Sequence, residues 1–335
     1  MIASVVPAGI GPRRRRTAGP AVTLALALVS MAMAQAALAQ DAAAWLNRAA
    51  SAARSLNYSG TIMYQHGGRV ETSRLVHINE GGSELEKLVS LDGPAREIIR
   101  GQAEVRFYYP EAKLVRIEPR TFRNAFPAVS PEQQRSLLDY YEFKKGESAR
   151  VAGMDAQAYV FEPRDGLRYG HKFWADAATG LLLKARVLNE VNDVVEQLAF
   201  ADLSVGGRMD RSMVQPSWPP VPPDWQVREI GPGDIEIKDT GWSVAGIPAG
   251  FSKMVEGFRT VRGKRYPVAH LVFSDGLVAV SVFVEPLGAA PHPIGLTQRG
   301  GTNIYMRQLG DHLITVLGEA PALTVRQMGN SVTRR

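Results

Sequence analysis

The sequence contains no cysteine in 335 residues. Disulfide bonds, thiolate metal sites and a cysteine nucleophile are therefore excluded, and so is a lipid anchor on an N-terminal cysteine. Long hydrophobic runs are also scarce. The apolar stretch AVTLALALVSMAMA has about 14 residues, whereas a membrane-spanning helix needs roughly 20. Hydrophobic residues make up 45% of the chain, so a core of apolar side chains must stabilise the fold.

Residues 1–39 match the pattern of a secretory signal peptide. Four consecutive arginines, Arg13 to Arg16, precede the apolar stretch, and small residues that include Ala37 and Ala39 follow it. We predict cleavage after Ala39 and export to the periplasm, where we expect the mature chain to be soluble. A transmembrane anchor is the alternative, and the shortness of the apolar stretch disfavours it.

The net charge of +6 comes mostly from this leader. The leader carries four arginines and no acidic residue, so 35 of the 39 lysines and arginines remain against 33 acidic residues. The mature chain is close to neutral, which removes the argument for nucleic-acid binding. A near-neutral chain is also compatible with a homodimer.

Recognisable catalytic motifs are absent from the sequence. There is no His-Glu-x-x-His pair, no Gly-x-Ser-x-Gly elbow and no Walker loop, and the six histidines lack the spacing of a metal site. His77 and His171 fall in predicted strands, which favours structural roles. In the turn PRDGLRYG, Asp165 lies near Arg164 and Arg168, which favours a buried ion pair or a turn contact over acid–base chemistry. We therefore predict no catalytic residue, no metal and no cofactor, and a hydrolase site assembled from distant residues is the least favoured alternative.

The hydrophobic pattern predicts an α+β protein with two domains. Residues 41–56 carry apolar side chains at helical spacing, and the period then changes to two, with turn signals between the strands. We predict a large open antiparallel β-barrel with packed helices over residues 41–205, one of the helices starting near Ser130. A smaller α+β domain is predicted over residues 226–335, with a hairpin at Asp275-Gly276 and a helix that starts near Pro321.

The stretch QPSWPPVPPDW separates the two predicted domains. Its five prolines fix φ and remove backbone donors, so it cannot form a helix or a central strand. We interpret residues 206–225 as a semi-rigid linker whose tryptophans, Trp218 and Trp225, pin its ends to the two domains.

Aromatic residues are concentrated in the stretch VRFYYPEAKLVRIEPRTFRNAFP. Successive side chains of a strand point to opposite faces, so Phe107, Tyr108 and Tyr109 cannot all enter one core. Two interpretations stay open: a filled half-barrel core, or a concave face that accepts an acyl chain or an apolar peptide.

Two groups of segments resemble a known family, that of the sigma-E regulatory proteins RseB and MucB. The segments LNYSGTIMYQHGGRVETSRLVH, SLDGPAREIIR and LRYGHKFWADAATGLLLKARV resemble its N-terminal domain. The segments AHLVFSDGLVAVSVFVE and GGTNIYMRQLGDHLITVLGEAPALTVRQMGNSV resemble its C-terminal domain. The resemblance implies a lipoprotein-carrier-like fold for the larger domain. It also implies a periplasmic negative regulator that binds an RseA- or MucA-like anti-sigma factor of the inner membrane and protects it from proteolysis. Release by lipid or lipopolysaccharide fragments is implied as well.

The resemblance also directs the choice of site residues. We expect an acyl chain near Phe107, Tyr109 and Phe122 of the large domain. We expect the anti-sigma factor to contact the small domain at the FSDGL hairpin and the GGTNIYMR segment, through Phe273, Asp275, Leu277, Asn303 and Tyr305. A periplasmic lipid or lipoprotein carrier is the alternative function, and the presence of the second domain disfavours it.

Overall fold

Two large sheets and four helical segments account for most of the described structure, which is a computed structural model. It describes residues 40–120, 137–207, 209–229, 235–261, 264, 266–288 and 292–335. Residues 42–335 form one compact unit. The predicted helix start near Ser130 and the predicted ligand residue Phe122 lie outside the described residues.

The larger sheet has twelve strands, eleven of which lie between Tyr58 and Val205, where the period-two pattern predicts strands. In chain order these strands are β1 (Tyr58–His66), β2 (Arg69–Glu80), β3 (Ser83–Ser90), β4 (Glu97–Arg100), β5 (Glu104–Tyr109), β6 (Leu114–Pro119), β7 (Tyr141–Val151), β8 (Met154–Pro163), β9 (Gly170–Asp176), β10 (Leu182–Leu188), β11 (Val194–Val205) and β12 (Gln226–Glu229). Their spatial order is β12-β6-β5-β4-β3-β2-β1-β11-β10-β9-β8-β7.

The sheet is open. Every neighbouring pair is antiparallel except β12, which lies parallel to β6, and the two ends of the order, β12 and β7, do not pair with each other among the described residues. The predicted antiparallel sheet is therefore confirmed, whereas the structure does not show a barrel.

One face of the large sheet is covered by helix α1 (residues 40–55). Its predicted apolar stripe is confirmed, since Trp45, Leu46 and Ala49 are all buried against the aromatic side chains of β7, β8 and β9. The Trp45 ring centroid lies 4.8 Å from that of Tyr159 and 5.4 Å from that of Phe173. Burial of an aromatic side chain of this size stabilises the fold by roughly 2–3 kcal/mol, so Trp45 anchors α1 to the sheet.

A helical turn, α2 (residues 137–140), precedes β7.

The Pro-rich segment covers the opposite face. Val214, in a short 3-10 helix (Arg211–Val214), packs against Val76 and Ile78, and Trp218 stacks on the buried Tyr108 with ring centroids 6.0 Å apart. Trp225 contacts Trp218, at a centroid distance of 5.4 Å.

This placement corrects the interpretation of the segment as a spacer with Trp218 and Trp225 pinned to different domains. Ser217 donates from its backbone and its hydroxyl to Glu97, and Lys87 donates to the Gln215 carbonyl. Prolines cannot extend the hydrogen-bonded ladder, but the rings and the Ser217–Glu97 contact hold the segment on the sheet. Residues 226–229, which were assigned to the small domain, continue the large sheet as β12.

The smaller sheet has seven strands in the order β13-β15-β16-β17-β20-β19-β18. They are β13 (Ile235–Ile237), β15 (Ser252–Thr260), β16 (Pro267–Ser274), β17 (Ala279–Pro286), β18 (Gly295–Arg299), β19 (Thr302–Leu309) and β20 (His312–Gly318). A separate pair is formed by β14 (Trp242–Val244) and β21 (Val332–Arg334).

Helix α3 (Ala322–Asn330) completes the small domain and contributes Val325 and Met328 to its core. Both local predictions are confirmed here: α3 begins directly after Pro321, and Asp275-Gly276 lies in the loop that joins β16 to β17. The two sheets with their helices are called the large and the small domain below.

Candidate functional site

The two domains meet at a buried arginine. Arg168 lies in the loop between β8 and β9, and its side chain is 0% exposed. Its guanidinium donates to Asp165 Oδ1 at 3.0 Å in the same loop, to Asp275 Oδ2 at 3.2 Å in the small domain, and to the carbonyl of Ala249 at 2.7 Å. The predicted ion pair between Asp165 and Arg168 is confirmed, and it is one half of a contact that crosses the domain boundary.

Aromatic rings surround the Arg168 guanidinium. Its central carbon lies 4.7 Å from the centroid of Tyr140, 5.5 Å from that of Tyr141 and 5.3 Å from that of Phe251. Arginine tolerates such an environment because its delocalised charge is weakly hydrated and stacks on π-systems. The rings and the carboxylates together compensate the loss of water around a fully buried charge.

Asp275 completes this cluster from the small domain. Its Oδ1 accepts the backbone N–H groups of Leu277 and Val278, which fixes the β16–β17 loop, and its Oδ2 accepts the hydroxyl of Tyr141 at 3.0 Å as well as Arg168. Burial raises the pKa of the Asp275 carboxyl, and these donors oppose that shift. Burial also raises the pKa of the Tyr141 hydroxyl well above its usual value, so Tyr141 acts as a donor. We call this group of Arg168, Tyr141 and Asp275 the junction cluster.

Two further hydrogen bonds join the β8–β9 loop to the small domain. Asn303 in β19 donates its amide to the hydroxyl of Tyr169 at 3.0 Å, and Thr324 in α3 donates its hydroxyl to the carbonyl of Leu167 at 2.6 Å. Asn303 is buried and also donates to the carbonyl of Ala320. The loop is thus held by β19, by α3 and by the β16–β17 loop.

A second contact between the domains is made by two hairpin tips. His66, at the end of β1, contacts the carbonyl of Arg299 through Nε2 at 3.0 Å, and Gly67 lies against Gly300. Beside these tips, Glu196 of β11 is an acidic neighbour of Glu319, which directly follows β20. Burial and the neighbouring Glu196 raise the pKa of Glu319 to about 7.

The structure places the five predicted partner-binding residues at this boundary or in the core. Phe273 is 1% exposed inside the small domain, and Asp275 and Asn303 belong to the contacts described above. Leu277 packs against the aromatic core of the large domain. Tyr305 is half-buried, and its hydroxyl donates to Asn330. Three of the five residues, Asp275, Leu277 and Asn303, therefore join the domains. Phe273, Asp275 and Asn303 are buried in this conformation.

The predicted acyl site lies on the face of the large sheet that carries α1. Phe107 and Tyr109 share this face and are half-buried, whereas Tyr108 points to the other face and packs under Trp218. The guanidinium of Arg116 covers the Phe107 ring at 4.4 Å. Tyr109 lines an open groove of about 420 Å³ whose other walls include Arg69, Asp92 and Arg96. Val70, Pro94 and Ala95 also line this groove, so its walls combine apolar and charged side chains.

The histidines predicted to be structural are buried in strands. His77 of β2 contacts the Leu56 carbonyl through Nδ1 at 2.9 Å and stacks on Tyr58. Burial lowers the pKa of His171 to about 4, so that ring is neutral at physiological pH. Within the described ranges, no cluster of three or more His, Asp or Glu side chains could hold a metal ion. Among the helices that the structure describes, none is long and apolar enough to cross a membrane.

Comparison with family models assigns both domains. Residues 41–218 match the MucB/RseB N-terminal domain, and residues 236–333 match the MucB/RseB C-terminal domain. The boundary between the matches falls directly after Trp218, which agrees with the packing of the Pro-rich segment on the large sheet. The chain belongs to the MucB/RseB family.

Curated relatives cover nearly the whole chain. The sigma factor AlgU regulatory protein MucB of Pseudomonas aeruginosa is 30% identical over 92% of this chain and 96% of its own length. The sigma-E factor regulatory protein RseB of Haemophilus influenzae is 27% identical over 94% of this chain and 97% of its own length. The sequence of RseB from Escherichia coli is 24% identical over 84% of this chain and 87% of its own length.

Solved structures of MucB share the fold. The crystal structure of MucB in complex with MucA(peri) has a TM-score of 0.69 and 28% identity, and it covers 88% of this chain and 99% of that chain. The complex structure of Pseudomonas aeruginosa MucA/MucB has a TM-score of 0.70 and 29% identity over the same shares. These MucB chains span both domains.

Proposed function

We propose that this member of the MucB/RseB family binds the periplasmic region of a membrane-anchored anti-sigma factor and protects it from regulated proteolysis. The sigma-E-type factor of the envelope-stress response would then stay inactive. The observation that carries the proposal is the match of both domains, in order, to a family whose solved members include MucB bound to MucA. A signal peptide over residues 1–39 would deliver the chain to the periplasm.

The arrangement of the two domains is the property that we expect the partner to recognise. The junction cluster and the Tyr169–Asn303 bond fix the small domain on the large one, so a partner that touches both domains meets a preformed surface. Leu277 and Tyr305 are the proposed contact residues that keep part of their surface exposed. Phe273, Asp275 and Asn303 would contribute by holding this arrangement.

Co-migration on a sizing column tests the proposal. The chain from Gln40 onward is mixed with the periplasmic region of the anti-sigma factor of the same organism, at micromolar concentration. We expect a complex whose mass by light scattering gives its stoichiometry and shows whether a homodimer forms. Two separate peaks would contradict the proposal.

Release by a lipid is the second part of the proposed function. Phe107 and Tyr109, with Phe122, are the proposed contacts of an acyl chain on the face that carries α1. Lipid A fragments added to the complex should dissociate it, and F107S should raise the concentration needed. The matched control is V191S, because Val191 is 72% exposed in the β10–β11 turn.

A lipid or lipoprotein carrier is the alternative function. A carrier would pass a co-purified acyl chain to an acceptor, and it would do so without the small domain. Acyl transfer to an acceptor in the absence of any complex with the anti-sigma factor would favour the carrier.

A further inference from the structure

Three cationic side chains surround one indole on the large sheet. Lys184 Nζ lies 4.7 Å from the Trp174 ring centroid, Lys172 Nζ 5.0 Å and the Arg186 guanidinium carbon 5.4 Å. Trp174 itself is 4% exposed, so the cations form the polar cover of a buried ring. We call Lys172, Lys184 and Arg186 the cation cluster.

The strand register creates this cluster. Lys184 of β10 lies directly opposite Trp174 of β9, and Arg186 lies directly opposite Lys172. Residues two apart in a strand share a face, so all four side chains project from one surface. Like charges directly opposite each other destabilise a sheet, and the pair formed by Lys172 and Arg186 has this unfavourable arrangement.

Carboxylates do not compensate the cluster fully. Lys172 pairs with Glu147 at 2.9 Å, and Arg186 donates to the neutral amide oxygen of Gln197 at 2.6 Å. In the described part of the chain, Lys184 has the indole ring but no carboxylate within ion-pair distance. Burial and the two neighbouring cations lower the pKa of Lys184.

Several other cations of the large domain have carboxylate partners. Arg100 pairs with Glu86 at 2.5 Å, and Arg120 pairs with Glu84 at 3.1 Å. Lys144 of β7 projects from the same face as the cluster and contacts both Glu142 and Glu162, at 3.2 and 2.5 Å. The cation cluster differs from these pairs because three cations meet at one ring with, among the residues that the structure describes, a single carboxylate, Glu147, paired to one of them.

We propose that the cation cluster is a binding site for a phosphate monoester group. A phosphate monoester carries nearly two negative charges and three acceptor oxygens. These match the charges and the N–H donors of Lys184 and Arg186, the two cations of the cluster without a carboxylate partner in the described ranges. The cationic side chains are partly buried, with Lys172 26% exposed, so they lie along the sheet and suit a compact anion better than an extended surface. Arg186 supplies a planar fork and the lysines supply point charges.

The site is separate from the surfaces assigned above. The ladder from β10 to β5 puts the cluster on the same face as Tyr108 and the Pro-rich segment, opposite to Phe107, Tyr109 and α1. Its residues also take no part in the junction cluster. The inference therefore does not rest on the proposed function.

Calorimetric titration with inorganic phosphate at constant ionic strength, with chloride as the balancing anion, tests the site. We expect saturable binding to the chain from Gln40 onward, and we expect K184Q to weaken it about ten-fold. K144Q is the matched control, because it also removes one lysine from the same face and should leave the affinity unchanged. Absence of saturable binding to the unmodified chain, or equal losses in both variants, would overturn the proposal.

Thermal unfolding separates an anion site from a structural role of Lys184. If the cluster holds a phosphate, K184Q without phosphate should melt at the same or a higher temperature, because repulsion is relieved, and it should lose the stabilisation by phosphate. If Lys184 only covers the ring, K184Q should melt at a lower temperature, and phosphate should shift both proteins equally. The second result contradicts the site.

Two further ligands identify the source of the phosphate group. Glucose 1-phosphate presents a soluble monoester, whereas phosphatidylglycerol vesicles present a phosphodiester surface. We expect competition between glucose 1-phosphate and inorganic phosphate. Binding to the vesicles without any binding of the two soluble ligands would overturn the site in favour of a membrane-docking surface.

Discussion

Arg168 and Asp275 form a buried ion pair that connects the two domains. The Nη1–Oδ2 distance is 3.2 Å, and the side chains are 0% and 2% exposed. The two residues are 107 positions apart in the sequence and lie in different domains. Removal of Arg168 leaves the Asp275 carboxylate buried without a cationic partner, which is the expensive change in such a pair.

We expect R168M to destabilise the protein by about 3–5 kcal/mol, because Asp275 loses its only charged donor in the cluster. Urea unfolding followed by circular dichroism measures the change, and a second transition would show that the domains have become independent. K113M is the matched control. It removes an ion pair with Asp224 whose side chains are 63% and 57% exposed, so a change below about 1 kcal/mol is expected. Equal effects of the two variants would contradict the role of Arg168.

We expect G250A to destabilise the protein by about 2–3 kcal/mol. Gly250 has φ of +86°, and a Cβ there would lie 2.4 Å from the Tyr140 ring, on which Arg168 stacks. G241A is the control, since Gly241 has φ of +76° with open space around it and should cost about 1 kcal/mol. The double variant Y140A/G250A should show less than the sum of the two single effects, and strict additivity would contradict the proposed clash.

We expect the stability of the protein to carry a pH dependence that E319Q removes. The pKa of Glu319 is raised from 4.5 to about 7 in the folded state, so the stabilisation by its protonated form is complete below pH 4.5 and is lost as pH rises through 7. The contribution of His171 to stability has the opposite dependence on pH. Its pKa is lowered from 6.5 to about 4 in the folded state, so the free energy of unfolding decreases as pH falls from 6.5 to 4.

The free energy of unfolding of the unmodified chain, relative to E319Q, should therefore fall by roughly 2 kcal/mol between pH 4.5 and 7.5. E190Q is the control, because Glu190 is exposed in the β10–β11 turn. A difference between the unmodified chain and E319Q that stays constant with pH would refute the raised pKa of Glu319.

We expect W218A to expose the Pro-rich segment to proteases. Trp218 is the ring through which the segment contacts Tyr108 and Trp225, and its loss should cost about 2 kcal/mol. Limited proteolysis followed by mass spectrometry should then show cleavage within residues 206–225. W218F should keep most of the protection because an aromatic ring still packs on Tyr108. Cleavage of W218F at the rate of W218A would show that the ring contact does not hold the segment.

Local patterns were sufficient to predict several elements of this fold. The apolar spacing of α1, the turn at Asp275 and the proline before α3 each depend on interactions within a few residues, which the sequence displays directly. An ion pair or a turn contact of Asp165 with Arg164 or Arg168 was also predicted, because these residues lie within one short loop.

Long-range contacts could not be predicted in the same way. No pattern in the sequence around Arg168 indicates that it pairs with Asp275. The apolar hairpin around Asp275 was predicted as a partner-binding surface, whereas in the structure it packs at the domain boundary. The cation cluster follows from the alignment of β9 with β10, which places Lys172 and Arg186 together only once the register is known. The predicted role of Trp218 was wrong because a proline-rich sequence does not reveal whether the segment packs on the face of a sheet.

The position of Asp275 in the chain has a consequence for the order of folding. Synthesis begins at the N-terminus, so the large sheet can assemble before the residue that pairs with Arg168 across the domain boundary has been made. Until then the guanidinium and the rings of Tyr140 and Tyr141 lack their partners from the small domain, and water must occupy their place. A chain that ends before residue 275 would leave these rings and the guanidinium exposed to solvent, which makes such truncated products targets for chaperones and quality-control proteases.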